Sequence, residues 1–189
     1  MDDLARELRA LARERLPAKR YLHTLGTEKE AVTLAMRYGQ DVCQARCAAL
    51  LHDITKPEQN QLKLCAEYGI ILPEFERGVP KLLHALTAEA YARGRGLPQG
   101  ALDAIRWHTT GRAGMSVLEK ILYVADSIEP FRKPFEGLPE MRRLAYVDLD
   151  GAAALGLRLT VREHLAADRD LHPASLEALE ELTETGAGE

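Results

Sequence analysis

Asp41-Val42-Cys43-Gln44-Ala45-Arg46-Cys47-Ala48-Ala49-Leu50-Leu51-His52-Asp53-Ile54 decides the fold. Asp41, with Gln44 three residues on, is a helix-opening pattern. From Val42 to Ile54 only Gln44, Arg46, His52 and Asp53 are polar. A helix apolar on nearly all sides belongs in an interior. Cys43, Cys47, Leu50, Leu51 and Ile54 share one stripe, while His52 and Asp53 face the side where Ala45, Ala48 and Ala49 leave room. A buried carboxylate costs several kcal/mol unless it is paired or bound to a cation. This segment therefore predicts a central helix that carries an unusual chemical demand at its end.

Helical spacing recurs on both sides of it. Leu4, Leu8 and Leu11 with Ala5 and Ala12 form an apolar stripe closed by Pro17. Thr27 and Glu30 have the form of a capping box opening a helix to about Tyr38, where Gly39 ends it. The central helix is expected to run to about Ile54, having ended before Pro57, and further helices are expected over 58–68, 80–93, 101–108, 116–128, 148–167 and 174–182. Ser116 and Glu119 form a second capping box. Gly and Pro concentrate in 94–100 and 129–139, which read as loops, and 183–189 reads as a fraying tail. Aromatic residues are only 5% and β-branched residues are scattered, so strand signals are nearly absent. The expectation is an all-α chain: one domain over 1–189, with an N-terminal helix over 1–17.

With 189 residues the chain is long enough to fold without disulfides or metal. Hydrophobic residues at 46% and charged residues at 29% exclude a wholly disordered protein. Lys plus Arg number 25 against 29 Asp plus Glu, so no strong positive field calls for nucleic acid or an anionic membrane. No apolar run approaches the roughly 20 residues of a membrane span, and Met1–Glu7 lacks the pattern of a signal peptide. Three cysteines without a CxxC pair suit a reducing compartment. A cytoplasmic globular protein is expected.

Asp126 makes a second demand, because it falls at the edge of the Leu118/Ile121/Leu122/Ala125 stripe. Two semi-buried Asp residues and several His on different helices match the ligand set of a borderline or hard metal ion. Singly, these residues have blander readings. His84 reads as a core histidine, His108 as a helix-end cap, and Lys56 and Arg132 as solvated charges. Cys43 and Cys47 read as core, and His164 and His172 carry no assigned chemistry.

Together they form a recognisable pattern: an early His23, then His52-Asp53, then a distant Asp126. It resembles the HD superfamily of metal-dependent phosphohydrolases. The surrounding words are sharper: Arg20-Tyr21-Leu22-His23-Thr24, Leu50-Leu51-His52-Asp53-Ile54-Thr55-Lys56, Leu83-His84, Ala104-Ile105-Arg106-Trp107-His108-Thr109-Thr110-Gly111, and Met115-Ser116-Val117-Leu118-Glu119-Lys120-Ile121-Leu122-Tyr123-Val124-Ala125-Asp126-Ser127-Ile128-Glu129-Pro130-Phe131-Arg132. These are similar to the YqeK family, HD-domain enzymes that cut diadenosine tetraphosphate symmetrically. One departure is Ala85, where that family usually has Gly after the third His.

The resemblance implies an HD-type helical fold and two metal ions, with iron favoured over manganese, cobalt, nickel or zinc. It implies that His23, His52, Asp53 and Asp126 hold one ion, and that Asp53, His84 and His108 hold the other. Such a pair activates a bridging hydroxide for attack on an internal phosphorus. Asp53 and Lys56 are then the catalytic candidates, and Arg20, Lys56, Thr109 and Arg132 the substrate-binding ones. The products would be nucleoside diphosphates such as two ADP. The alternatives are another HD-type nucleotidase or phosphodiesterase, or a non-catalytic helical module that binds a nucleotide. The lack of a Gly-Tyr-Pro word counts against the cyclic-dinucleotide branch. The expected partner is a nucleotide substrate, with neither nucleic acid nor membrane. A homodimer is compatible with the mixed aromatic and basic segment 131–138, which equally suits an active-site rim.

Overall fold

The computed structural model describes residues 2–185. Among them there are eleven α-helices, one 3-10 turn and no strand. The helices are α1 (Asp2–Arg15), α2 (Ala18–Arg37), α3 (Val42–Leu51), α4 (Gln61–Glu67), α5 (Glu74–Gly78), α6 (Leu83–Arg93), α7 (Gln99–Trp107), α8 (Val117–Ile128), α9 (Leu138–Leu144), α10 (Leu149–Ala166) and α11 (Pro173–Thr185). The 3-10 turn, Pro80–Leu82, leads directly into α6. The all-α expectation holds, and the expected frayed tail lies mostly outside the described residues.

Helix α3 is the hub. It packs against α1, α2, α7 and α8, and Ala45, Cys47, Ala48, Ala49, Leu50 and Leu51 are all buried. Its small residues let neighbouring backbones approach. The Asp41 side chain accepts from the backbone N–H of Cys43 and Gln44, as its position predicts. The Ser116–Glu119 capping box opening α8 is present in both directions. A buried carboxylate ties the first three helices: Arg9 binds Glu28 through Nε at 2.9 Å and Nη2 at 2.5 Å, and Arg46 Nε lies 3.2 Å from the same group.

Several boundaries differ from expectation. Thr27 does not open a helix: α2 begins at Ala18, and Thr27 is buried in its middle, its hydroxyl donating back to the His23 carbonyl at 3.0 Å. The capping pattern is local, whereas burial of the preceding turn is tertiary, and burial wins. Pro17 ends α1 and also occupies the N-cap of α2, where a missing N–H costs nothing. Helix α3 stops at Leu51 rather than near Ile54, and residues 52–57 wind as tight turns. Helix α5 was not foreseen, and α9 begins within the segment read as a loop, entered through Gly137 at φ +90°.

Candidate metal centre

Six side chains from five elements converge where α3 ends. His23 sits in the second turn of α2, and Asp126 in the last turn of α8. His52 caps α3, with Asp53 beside it in the turn that follows. His84 lies in the first turn of α6, and His108 caps α7. The turn is fastened to α6 by Thr55, whose hydroxyl donates to the His84 carbonyl at 3.2 Å and lies 2.8 Å from Thr87 Oγ1.

His23 Nε2 is 2.8 Å from Asp126 Oδ1 and 3.4 Å from His52 Nε2. His52 Nε2 is 3.5 Å from Asp53 Oδ2 and 3.6 Å from Asp126 Oδ1. On the other side of Asp53, Oδ1 is 3.3 Å from His84 Nε2 and 3.7 Å from His108 Nε2. The cluster is two donor groups, His23/His52/Asp53 and Asp53/His84/His108, that share one fully buried carboxylate.

Hydrogen bonds at the back of the rings fix which nitrogen faces inward. The Nδ1–H groups of His52, His84 and His108 donate to the carbonyls of Ala49, Lys81 and Ile105 at 2.6, 2.6 and 2.7 Å. His23 Nδ1 faces Glu129 Oε1 at 3.1 Å. A carbonyl or carboxylate oxygen can only accept, so each ring carries its proton on Nδ1 and aims Nε2 at the cage. His84 and His108 consequently point Nε2 at Nε2 across 3.2 Å. Two lone pairs at that distance repel unless a cation or a proton stands with them. Asp53 Oδ1, meanwhile, is buried without a well-aligned hydrogen bond.

Burial alone would raise the Asp53 and Asp126 carboxyls. The neighbouring histidines outweigh it and hold both well below the usual carboxylate range. Burial acts the other way on the rings. It drives His108 down to about 4, whereas in His52 the charges of Asp53 and Asp126 overcome it and push the ring up to about 9. A cation bound there would compete with protons for these same nitrogen and oxygen atoms. Imidazole nitrogen with carboxylate oxygen, all turned inward, fits a borderline divalent metal.

Cations and donors flank the cage. Lys56 Nζ is 3.0 Å from Asp53 Oδ1, and Arg20 Nη1 donates to Oδ2 at 2.7 Å. Arg132 Nη2 is 3.3 Å from Asp126 Oδ2 at the opposite edge. Thr109 Oγ1 lies 3.1 Å from His108 Nε2 and 3.4 Å from His84 Nε2. Every metal-ligand, catalytic and substrate-binding candidate named from the sequence is thus at or beside the cage. Ala85 is buried on α6.

Two residues were missed. Glu129 is buried against His23 and also accepts the backbone N–H of Phe131 at 2.6 Å. Gly26 makes room for it, since a Cβ there would stand 2.6 Å from Glu129 Oε2. The available signal was position: Glu129 lies three residues after Asp126, on the same buried helix end.

A helical bundle whose helix ends deliver four inward-facing imidazoles and two carboxylates is the scaffold of a metal-dependent hydrolase. The chain belongs to the HD domain family, whose model matches residues 20–130. It is 38% identical to the symmetrical bis(5'-nucleosyl)-tetraphosphatase of Bacillus subtilis, over 82% of this chain and 84% of that protein. It is 35% identical to the protein of the same name from Halalkalibacterium halodurans, over 91% and 93%. Among solved structures it resembles a predicted HD superfamily hydrolase involved in NAD metabolism from Clostridium acetobutylicum, with a TM-score of 0.87 and 35% identity. That match covers 95% of this chain and 96% of the other.

Proposed function

We propose that this protein is a metal-dependent hydrolase of dinucleoside polyphosphates, cutting diadenosine tetraphosphate symmetrically into two ADP. The observation that carries the reading is the sharing of Asp53 between two histidine pairs, with Lys56 and Arg132 on opposite flanks. The curated relatives bear the name of that activity along most of their length.

His23, His52, Asp53 and Asp126 would hold one ion, and Asp53, His84 and His108 the second. Bound there, the ions would supply Lewis acidity toward phosphate oxygens and an acidified water. The N/O donor set suits iron, our favoured metal, as well as manganese, cobalt, nickel or zinc.

The remaining work falls to this chain's own groups. Lys56 and Arg132, each about one-third exposed, stand where a polyphosphate crossing the cage would need its charge neutralised. Arg20 orients Asp53 through its 2.7 Å bond, and the Thr109 hydroxyl is placed to hydrogen-bond a phosphate oxygen beside His108. The backbone carbonyls behind three of the rings, and Glu129 behind the fourth, keep the Nε2 lone pairs on the reacting side.

The shared core from α1 to α11 supports one domain over the chain. No described helix is long and apolar enough to cross a membrane, and three free cysteines support a cytoplasmic setting. The net charge of -4 supports leaving nucleic acid out of the partners. Phe131 and Phe135 are the exposed aromatics of the rim. They fit either a second copy of the chain or the outer part of the substrate, and light scattering with and without ADP separates the two.

The test is product identification. Metal-replete protein given diadenosine tetraphosphate should yield ADP alone, whereas ATP with AMP would contradict the symmetrical cut. NAD belongs in the same panel, because the structural relative is described by NAD metabolism. Mononucleotides and cyclic dinucleotides test the other HD-type activities. Nucleotide binding without turnover would favour a non-catalytic module.

A further inference from the structure

Helix α8 cannot run on past Ile128. Pro130 brings no N–H, and Glu129 leaves the helical region at φ -50°, ψ 152°. The next two N–H groups turn aside: Phe131 donates to Glu129 Oε2 at 2.6 Å, and Arg132 to the Glu129 carbonyl at 3.1 Å. In a continued helix the Arg132 N–H would have served the Ile128 carbonyl. Ile128 and Glu129 are both buried, so an acceptor stranded there needs a donor from elsewhere in the chain.

Arg142 supplies it. From α9, its Nε donates to the Ile128 carbonyl and its Nη2 to the Glu129 carbonyl, both at 2.9 Å. A guanidinium at the end of α8 also meets the negative pole of that helix. Two donors in a rigid fork fix orientation as well as distance, which a single donor cannot. Helix α9 is itself firmly held. Met141 is fully buried, and Gly156 of α10 leaves room for it, since a Cβ there would stand 2.7 Å from Met141 Cε. On the other side the Tyr38 hydroxyl, at the end of α2, donates to the Ala145 carbonyl at 2.9 Å.

The turn clamped in this way, residues 129–132, meets the metal centre twice. At its start Glu129 Oε1 stands 3.1 Å behind His23 Nδ1. At its end Arg132 Nη2 reaches Asp126 Oδ2 at 3.3 Å. A shift of the turn would therefore disturb a ligand-backing carboxylate and a phosphate-facing cation together.

We propose that Arg142 is a positioning residue for both, acting through this turn. It touches neither the metal ligands nor the phosphate chain; it sets where the Glu129 carboxylate and the Arg132 guanidinium stand. The Glu129 arm rests on the donor cage alone, whereas the Arg132 arm rests on the phosphohydrolase reading given above.

The test is a pair of double-mutant cycles on the full chain. Metal affinity is read by competition with a chromogenic chelator, and binding of inorganic pyrophosphate by calorimetry at saturating metal. Arg142→Ala alone should weaken metal about tenfold and pyrophosphate about fivefold. Added to Glu129→Ala it should change metal affinity less than about twofold further, because the group through which it acts is gone. Added to Arg132→Ala it should change pyrophosphate binding less than about twofold further, for the same reason. Arg142→Lys, which keeps the charge without the fork, should show smaller losses and passes through the same cycles if the alanine variant does not fold. Tyr38→Phe loosens α9 from α2 without touching the turn, and both affinities should stay within about twofold of the wild type. Losses that multiply in the double variants, or losses of the same size in Tyr38→Phe, would reduce Arg142 to a prop of α9 and overturn the proposal. Unchanged metal and pyrophosphate binding in Arg142→Ala would overturn it equally. Should the wild type hydrolyse no dinucleoside polyphosphate while the metal cycle behaves as expected, the activity reading falls and the Glu129 arm stands.

Discussion

Glu129 Oε1 lies 3.1 Å from His23 Nδ1, and the two residues, 106 positions apart in the chain, are buried against each other at the edge of the cage. The carboxylate fixes the ring's tautomer and orientation, so that its inner nitrogen faces the cage. Glu129→Ala should therefore weaken metal binding by about 10- to 100-fold. Glu129→Gln, which keeps an acceptor oxygen without the charge, should lose less. Competition with a chromogenic chelator reads both, and equal affinity in all three proteins would remove Glu129 from the centre.

Gly26→Ala probes the same contact from the other side. The added methyl would stand 2.6 Å from Glu129 Oε2 and 3.2 Å from Phe131 Cδ2 and Pro130 Cδ. Overpacking of this kind costs about 1–3 kcal/mol. The variant should show a lower melting temperature and weaker metal binding together. A drop in stability with unchanged metal affinity would mean that Glu129 can shift without moving His23.

Much of this was legible in the sequence, and the residues show why. His52 and Asp53 stood out because a polar pair ending an apolar helix violates the local pattern, and such violations gather at functional sites. The Asp41 and Ser116 caps were legible because their partners lie two or three residues away. Glu129 was not, because its partner His23 lies 106 residues distant. The start of α2 was misread because the Thr27–Glu30 spacing mimics a cap, while the burial that extends the helix back to Ala18 exists only in three dimensions.

Glu76 makes stability depend on acid. Burial would raise its carboxyl, but the hydrogen bond and charge of Arg106 outweigh burial and lower it. A carboxyl lowered in the folded state contributes stability that is fully present above its unfolded value and is lost as pH falls through the folded one. The urea midpoint should therefore be parallel in the two proteins above about pH 5 and fall more steeply below about pH 4.5 in the wild type than in Glu76→Gln. Parallel pH profiles would show that the Arg106 pair adds nothing to folding.

Chelation should lower the melting temperature as well as abolish turnover. A cation that binds only the folded chain at 100 times its dissociation constant contributes about 2.7 kcal/mol per site. The loss should reverse when metal is returned. It should also be smaller in His84→Ala, which retains the His23/His52/Asp126 side of the cage.

Lys56→Ala removes the cation 3.0 Å from Asp53 Oδ1 at the flank of the cage. Metal content should hold, while kcat/KM for diadenosine tetraphosphate should fall at least about tenfold, the size of one charge-assisted hydrogen bond. Undiminished turnover would place the phosphate chain elsewhere.

The most direct measurement is metal stoichiometry by elemental analysis of the reconstituted protein, set beside Asp53→Asn. A shared carboxylate predicts about two equivalents per chain in the wild type and loss from both positions in the variant. A single equivalent in the wild type, or two retained by Asp53→Asn, would contradict a cage built around Asp53.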